Sequence, residues 1–544
     1  MRLRILEALR SLARGSAQHE AAANEGRALD VASSGSRLPP RLHAESGTAD
    51  ELRPGHFSLG TFVDEPGRTL LLPVVSRPVH SLLLGSTGVG KTWLQLRALE
   101  AKFDALLRGY DAADRVAILD AKGGDLASLA KEVLLTLLPG VPIQQAEHLL
   151  ERLVVVAPFS TTHAAPMNLL YVDDARDLEA NAFDMAGLLS RMSGSALGVH
   201  QDRLVYSATL LGGELARRDE GFNLYDLASA LGDPARLAGL AQLSTFESVR
   251  NYFAGPNGLS AGSLHGVRAR LERLLRLGAS RMLRARRCLD FGAALRDGVV
   301  IIDMGGAPLG APDIANFYLG MIASRLLRSL NARTGTEPQL VLVIDEFQRA
   351  VRAQNWLAES LEDVLAVCRS RRVRLVLASQ SLDAIREVST ALPRIALTNC
   401  DVIISGRANT DDARSLSPYL HLSGRVPRPP VLPWEERRGG PFLTQAEERA
   451  ALTVRLTRLE HRQFLYADKS TGEGGAFIKS ADVTMEVTGE ARREWGGRVE
   501  CGAVSAEATA RVPRRVTRLA TGAGTLPSAP PSLPRRRGRR RTMP

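Results

Sequence analysis

The sequence predicts an α/β protein whose parallel, doubly wound sheet is interrupted by a helical insertion. Three observations predict this fold class. Apolar runs of strand length alternate with helical stretches over residues 57–175 and again over 291–490. The stretch between them, 176–290, shows helical patterns and few strand candidates. A glycine-rich turn also joins one apolar run directly to a helical stretch.

The predicted elements divide the 544 residues into five segments. These are a flexible leader (1–56), the first part of a nucleotide-binding domain (57–175), an inserted helical domain (176–290), the second part of the nucleotide-binding domain (291–490) and a disordered basic tail (491–544). The first part opens on a β-rich lead-in with a turn at Glu65-Pro66-Gly67, and a hairpin at 463–479 closes the second part. Strand candidates lie at 81–84, 115–120, 153–158, 298–304, 340–347, 373–380 and 400–407.

A phosphate-binding loop follows the first of these strands. Residues 85–92 fit the pattern G-x-x-x-x-G-K-[ST] at every fixed position, and a helical stretch follows. The loop consists of Gly85, Ser86, Thr87, Gly88, Val89, Gly90, Lys91 and Thr92. Its glycines let backbone N–H groups turn towards phosphate oxygens. Lys91 reaches the β- and γ-phosphates and Thr92 ligates Mg²⁺, so the pattern predicts binding of ATP or GTP.

The stretch LVLVIDEFQ, residues 340–348, predicts the second part of this site. Four apolar residues place a strand in the sheet, and Asp345 then emerges at its carboxyl end, where ligands bind. An aspartate there holds Mg²⁺, and Glu346 can polarise an attacking water. The alternative, a buried strand with acidic surface residues at its end, is weakened by the complete phosphate-binding loop.

Weaker patterns add three further candidates. The strand candidate at 373–380 ends in Gln380, whose amide can hydrogen-bond a γ-phosphate or the attacking water. Arg369 lies shortly before this strand and Arg407 follows the next one. In ring ATPases one arginine commonly reaches into the neighbouring subunit's site and neutralises transition-state charge. A solvated surface position is the alternative for each arginine.

Two further groups of charged residues lead to open interpretations. Arg270, Arg273 and Arg276 recur at every third position of a predicted helix and share roughly one face. This face either contacts DNA or is a solvated or subunit-contact surface. Asp120 and the following loop, with Lys122 and Asp125, have three open interpretations. They line the nucleotide site, they line the central channel of a ring-shaped assembly, or they form a turn.

Most of the positive charge lies at the carboxyl end of the chain. The net charge is +11, and residues 501–544 supply +9 of it through ten arginines and one acid, Glu507. The Pro/Ser/Gly-rich composition of this segment is typical of a disordered arm. The arm favours nucleic acid or another polyanion without sequence preference, or is a solvated tail with no partner.

The remaining composition excludes several classes of protein. The four cysteines are far apart and form no CxxC pair, which argues against a disulfide framework or a zinc site. The sequence contains no apolar run of about 18 residues, the length needed to cross a bilayer. We therefore expect a reduced, cytoplasmic protein without a membrane span of its own.

The order of the motifs carries a resemblance to a known class. HSLLLGSTGVGKT, ILDAKGGDL, PMNLL, LVLVIDEF, VCRSRRVRLVLASQS and LTNCDVIISGRANTDDARSLS follow one another over residues 57–480. This order resembles the FtsK–HerA class of DNA-pumping ATPases, and within it the TraG/TraD-like coupling proteins of conjugative type IV secretion systems. Only the two Walker motifs are specific alone, and the others gain weight from their order.

The resemblance implies a RecA-like motor domain with an inserted helical domain, assembled as a homohexamer around DNA. It implies Mg²⁺-dependent ATP hydrolysis, with catalytic parts at Lys91, Thr92, Asp345, Glu346 and Gln380, and an arginine that corresponds best to Arg369. Relaxase or secretion-channel components are the implied partners, and the DNA contacts are to the backbone.

One departure keeps other functions open. Typical coupling proteins begin with membrane-spanning helices, which this sequence lacks, so a partner could supply membrane association. The alternatives are a HerA-like soluble motor in DNA processing or defence, a motor for protein or pilus assembly, and a non-translocating NTPase switch that recruits partners.

Overall fold

The computed structural model describes residues 45–48 and 55–510. Short gaps in this description lie at 66, 111–112, 124, 163–164, 193–196, 219–221, 256–259, 277–279, 309, 354, 421, 423–425, 427–441 and 472–474. The arginine-rich end of the chain after residue 510 and most of the leader therefore lie outside the described residues.

The strands of the described residues form one sheet. They are β1 (Glu45–Thr48), β2 (His56–Phe62), β3 (Arg68–Pro73), β4 (Ser81–Leu84), β5 (Arg115–Asp120), β6 (Leu153–Val156), β7 (Val299–Asp303), β8 (Leu340–Asp345), β9 (Val373–Ser379), β10 (Val402–Ser405), β11 (Gln463–Asp468) and β12 (Ala476–Ser480). Their order across the sheet is β1-β3-β2-β12-β11-β10-β4-β9-β8-β5-β7-β6.

The sheet has a parallel part and an antiparallel part. From β10 to β6 every neighbouring pair is parallel, and β4 lies between β10 and β9. The strands β11, β12, β2, β3 and β1 continue the sheet by antiparallel pairing. The prediction of an α/β fold with a parallel, doubly wound sheet is confirmed, and the lead-in and closing hairpins extend it.

The α-helices connect and cover this sheet. In chain order they are α1 (Lys91–Leu107), α2 (Leu126–Leu137), α3 (Ile143–Leu150), α4 (Leu178–Arg191), α5 (Val199–Arg218), α6 (Leu224–Ala230), α7 (Pro234–Ala241), α8 (Glu247–Ala254), α9 (Ala261–Leu275), α10 (Ser280–Leu283), α11 (Phe291–Asp297), α12 (Pro312–Asn331), α13 (Phe347–Ala353), α14 (Asn355–Ser370), α15 (Leu382–Arg386), α16 (Leu392–Asn399), α17 (Thr410–Leu416), α18 (Gln445–Thr457) and α19 (Gly489–Ala510).

Seven helices, α4 to α10, lie among the described residues of the predicted insertion, 176–290, and α11 follows them before β7. Their apolar faces do not form a separate core. Buried leucines of α5 and α9 belong to the same apolar cluster as α12 and one face of the parallel strands. The helical stretch is therefore packed on the sheet through α4 and α12, which contact each other. An isolated antiparallel β-bridge between Met167 and Cys288 connects the two ends of this helical stretch.

The opposite face of the sheet is covered by α1, α2, α3 and the last helix, α19. Trp495 and Val499 of α19 are buried in this layer. Gly502 bridges to Val154 of the edge strand β6 with a φ of 66°. A Cβ at this position would lie 2.8 Å from the carbonyl oxygen of Leu153, so only glycine permits the close approach.

Two predicted segment boundaries need correction. Residues 45–48 of the predicted flexible leader form β1, which pairs with β3 through backbone hydrogen bonds and has no apolar pattern for the sequence to signal. The predicted disordered tail begins inside α19, whose residues up to 503 pack on α2 and β6. Its net basic composition concealed the short apolar face formed by Ala491, Trp495 and Val499.

Candidate nucleotide-binding site

The phosphate-binding loop joins the buried strand β4 to α1 at the carboxyl edge of the parallel strands. Gly85, Gly88 and Gly90 all have positive φ, at 152°, 81° and 98°. A Cβ on Gly90 would lie 2.9 Å from Cγ of Arg462, and one on Gly85 would lie 2.9 Å from a methyl of Val89. The loop therefore needs glycines both for its backbone conformation and for its packing.

Lys91 lies folded back over this loop. Its Nζ donates to the carbonyl oxygen of Gly85 at 2.5 Å and to that of Ser86 at 3.4 Å. Burial lowers the pKa of Lys91, and the nearby carboxylates of Glu346 and Asp345 oppose that shift. Two neutral carbonyls compensate an ammonium only weakly, so the arrangement suits an incoming anion such as a phosphate.

Three aspartates lie side by side at the carboxyl ends of neighbouring parallel strands. Asp120, Asp303 and Asp345 end the adjacent strands β5, β7 and β8 and are aligned in register. Asp120 accepts the N–H groups of Gly123 at 2.7 Å and Ala127 at 3.1 Å, and Asp303 accepts that of Gly305 at 2.8 Å. These two carboxylates therefore fix the loops that surround Asp345.

Asp345 is the carboxylate best suited to a metal ion. Burial and the neighbouring charges of Asp120 and Glu346 raise its pKa to about 6. A divalent cation beside it would remove this penalty and displace the proton. The hydroxyl of Thr92 lines the same cleft and adds a hard oxygen donor. Two protein oxygens plus phosphates suit Mg²⁺, so the residues present fit the predicted cofactor.

Glu346 is held in an unusual conformation. Its φ is 52°, in the left-handed region, and its side chain is 5% exposed. Gln380 donates its amide Nε2 to one carboxylate oxygen at 2.7 Å, and Gln348 donates to the other. A strained, doubly hydrogen-bonded carboxylate at a strand end is typical of a functional site. The structure thus brings together Glu346 and Gln380, which are 34 positions apart.

These residues surround a single cleft of about 390 Å³. Asp120, Lys122 and Asp125 also line it, and Asp120 holds the turn that follows β5 as well. The sequence analysis missed four residues: Trp93, Gln348 and His461 in or beside the cleft, and Arg462 behind the loop. Gln348 lies two residues beyond Glu346, and this proximity was the one signal that could have indicated it.

His461 and Arg462 clamp the loop from the turn that immediately precedes β11, the first strand of the closing hairpin. The His461 ring nitrogen Nδ1 donates to the carbonyl oxygen of Gly88 at 2.7 Å, and the Arg462 N–H donates to that of Val89 at 2.8 Å. Strand β11 is antiparallel to its neighbour β10, so its beginning lies at the carboxyl edge of the parallel strands. No motif in the sequence connects these residues with a loop some 370 positions earlier.

The two arginine candidates lie at opposite ends of the parallel strands: Arg407 at their carboxyl ends and Arg369 at their amino ends. Arg407 follows β10, and its carbonyl oxygen accepts the N–H of Ser86 at 3.3 Å, so it adjoins the loop of its own chain. Arg369 lies at the end of α14, before β9, and its guanidinium pairs with Asp401 at 3.2 Å. Within one chain the structure therefore places Arg407, but not Arg369, beside the site.

The predicted arginine face of α9 is largely engaged within the chain. Arg273 pairs with Asp313 of α12 at 2.9 Å, and Arg276 pairs with Glu272 at 3.4 Å. Arg270 donates to Gln201 of α5 at 3.4 Å. These contacts within the chain, which neither interpretation predicted, engage Arg270 and Arg273, while Arg276 remains 79% exposed.

The fold and the site define a P-loop NTPase of the RecA-like type. Within that class, residues 339–420 match the family model described as the TraM recognition site of TraD and TraG. This segment runs from β8 through α17 and contains Asp345, Glu346 and Gln380. The resemblance to TraG/TraD-like coupling proteins, predicted from the order of the motifs, is confirmed by this match.

Solved structures show the same fold at low sequence identity. The plasmid coupling protein TrwB in complex with ADP and Mg²⁺ matches with a TM-score of 0.50 and 16% identity, over 84% of this chain and 98% of that chain. VirB4 of Thermoanaerobacter pseudethanolicus matches with a TM-score of 0.50 and 13% identity, over 80% and 99%. The comparison with curated proteins gives no match.

Two features are absent from the described residues. No helix among them has the length and apolar character that crossing a bilayer requires. In the same part of the chain no group of three or more His, Cys, Asp or Glu side chains could hold a metal ion.

Proposed function

We propose that this protein is a Mg²⁺-dependent ATPase that moves DNA as a coupling-protein-like motor of conjugative transfer. The observation that carries the ATPase part is the convergence of Lys91, Asp345, Glu346 and Gln380 on one cleft. When bound, Mg²⁺ neutralises phosphate charge and orients the γ-phosphate. Thr92 and Asp345 hold the ion.

The chain's own residues divide the remaining work between binding and activation. The loop N–H groups and Lys91 bind the phosphates. Glu346 orients and polarises the attacking water through a carboxylate whose position Gln348 and Gln380 fix. The Gln380 amide links Glu346 to the strand β9, so a change at the γ-phosphate can be transmitted into the sheet.

The DNA part of the proposal is supported by the resemblance and by charge. TrwB is a plasmid coupling protein by its description, and the family match concerns TraD and TraG. The ten arginines of residues 501–544 are suited to phosphate contacts without base recognition. Relaxase or secretion-channel components are the proposed partners on the same grounds.

We predict that long double-stranded DNA stimulates ATP hydrolysis by the wild-type protein and that short oligonucleotides do not. A translocating motor hydrolyses ATP repeatedly only while unoccupied DNA remains in front of it. Removing residues 511–544, which follow α19, should weaken DNA binding and reduce its dependence on salt, because up to ten cationic contacts are lost. Steady-state ATPase assays and binding isotherms at several salt concentrations measure both effects.

Basal hydrolysis of the truncated protein is the internal control and should persist, since the catalytic motifs lie upstream. If DNA neither binds at low salt nor stimulates hydrolysis, the motor proposal is wrong, and a nucleotide switch that recruits partners becomes the better account. Stimulation by DNA fragments of any length, short ones included, would instead favour a HerA-like motor in DNA processing.

We further propose that the active unit is a homohexamer in which Arg369 or Arg407 completes the neighbouring subunit's site. Arg369 is 48% exposed and Arg407 is exposed, so both are accessible to a neighbour. Mixtures of Lys91→Ala subunits and Arg369→Ala subunits should regain ATPase activity, because some interfaces then combine two intact halves. The same mixture with Arg407→Ala tests the other arginine. Monomers in sedimentation with DNA and ATP, together with no recovery in either mixture, would refute the shared site.

A further inference from the structure

A second cavity, of about 100 Å³, lies beneath the helix that begins at the phosphate-binding loop. It is enclosed by one face of the central strands, by α1 and by the lead-in strands β2 and β3. Its walls are mainly aliphatic and include Leu83, Val343 and Val376 of the sheet and Leu94 and Ala98 of α1. It does not overlap with the nucleotide cleft, with which it shares no lining residue.

One end of this cavity holds an uncompensated positive charge. Lys102 is paired with Asp114 at 2.7 Å, and Arg77 is paired with Asp468. Arg374 has no carboxylate within ion-pair distance among the described residues. The two acids whose charges act on the pKa of Arg374, Asp114 and Asp468, are already engaged in those two pairs. The five charges together leave one net positive charge, located on the Arg374 guanidinium.

The Arg374 guanidinium is also short of hydrogen-bond partners. One terminal nitrogen donates to Oγ of Ser81 at 2.8 Å, and the buried Nε has no partner in the described part of the chain. The side chain is partly buried and lines the cavity. A partly buried cation without an ion-pair partner is costly, and a bound anion would offset that cost.

The other end of the cavity is polar as well. Gln95 of α1 is 5% exposed, and its side-chain amide lies beside Asp345, where it lowers the pKa of that carboxyl. Arg374 pairs in register with Val341, four residues before Asp345, and Gln95 is near enough to Asp345 to affect its pKa. At about 3.3 Å per residue, the polar ends are therefore about 13 Å apart along β8.

We infer that this cavity binds a small organic carboxylate. The carboxylate pairs with Arg374, and an aliphatic body lies between the valines of the sheet and the apolar face of α1. A single negative charge matches the single uncompensated cation. A phosphate or sulfate matches less well, because it carries more charge and needs donors on several sides, whereas most of the wall is aliphatic.

The experiment uses the full chain without nucleotide, so its outcome does not depend on the proposed ATPase function. The probe is hexanoate, compared with uncharged hexanamide and with acetate, which lacks the aliphatic body. Calorimetric titration is expected to give a Kd of about 1 mM for hexanoate, given its roughly eight non-hydrogen atoms. Hexanamide and acetate should bind at least about tenfold more weakly. Hexanoate should also raise the thermal unfolding midpoint.

Three variants locate the binding. Arg374→Met removes the charge, and Ala98→Leu fills the cavity while leaving every charge in place, so both should lose hexanoate binding. Arg394→Met removes an exposed arginine of α16 and should retain it. Saturating Mg-ADP should not displace hexanoate, because the two cavities are separate.

Several outcomes would overturn the inference. No heat and no midpoint shift with wild-type protein would mean that water alone fills the cavity. Equal binding of hexanoate and hexanamide would remove the role of Arg374. Unchanged binding by Ala98→Leu would place the ligand elsewhere, and this variant decides the matter if Arg374→Met does not fold.

Discussion

Replacing Glu346 by Gln is expected to lower the rate of ATP hydrolysis by about 10²–10⁴-fold while nucleotide binding is retained. The amide has nearly the shape of the carboxylate but cannot accept a proton from the attacking water. The loop, Lys91 and Asp345, which are the proposed ligands of the phosphates and the metal ion, are unchanged. Single-turnover hydrolysis and the Kd for a non-hydrolysable ATP analogue measure the two quantities separately.

A matched control is available on the helix that leads to β9. Glu362 is an exposed glutamate of α14, and Glu362→Gln makes the same chemical change away from the cleft. This variant should hydrolyse ATP at the wild-type rate. If Glu346→Gln also keeps wild-type turnover, another group activates the water, and the assignment of Glu346 is wrong.

Replacing Lys102 by Met is expected to destabilise the protein by about 3–5 kcal/mol. Lys102 of α1 is buried, and its Nζ donates to Asp114 Oδ2 and to Oγ of Ser76, both at 2.7 Å. Asp114 is fully buried, so the substitution leaves a carboxylate without its cation. Burial lowers the pKa of Lys102 to about 8, which shows how strongly this environment disfavours charge. Urea unfolding followed by intrinsic fluorescence measures the loss.

Two further variants test the cause. Lys102→Met combined with Asp114→Asn should recover much of the lost stability, because the unpaired charge is then removed. Arg108→Met breaks an exposed ion pair with Asp104 just beyond the same helix and should cost less than about 1 kcal/mol. A small effect of Lys102→Met, or no recovery in the double variant, would contradict a buried pair.

Much of the geometry of the candidate nucleotide-binding site was predictable because it depends on local sequence. The phosphate-binding loop needs glycines with positive φ followed by Lys-Thr at the start of a helix, and all of these lie within eight residues. Asp345 and Glu346 follow an apolar strand whose polar neighbours must lie at its carboxyl end. The parallel sheet followed from the alternation of strands and helices for the same reason.

What the sequence by itself determined is therefore the fold class, the phosphate-binding loop and the acidic strand end, since each is encoded by neighbouring residues. Only the tertiary structure decided that Gln348 and Gln380 hold Glu346, that His461 and Arg462 clamp the loop, and that α19 packs on the sheet. These contacts join residues on separate elements, and strand order brings them together. The burial that leaves Arg374 unpaired in a cavity likewise arises only when distant segments pack, because charge balance in an interior depends on three-dimensional neighbours.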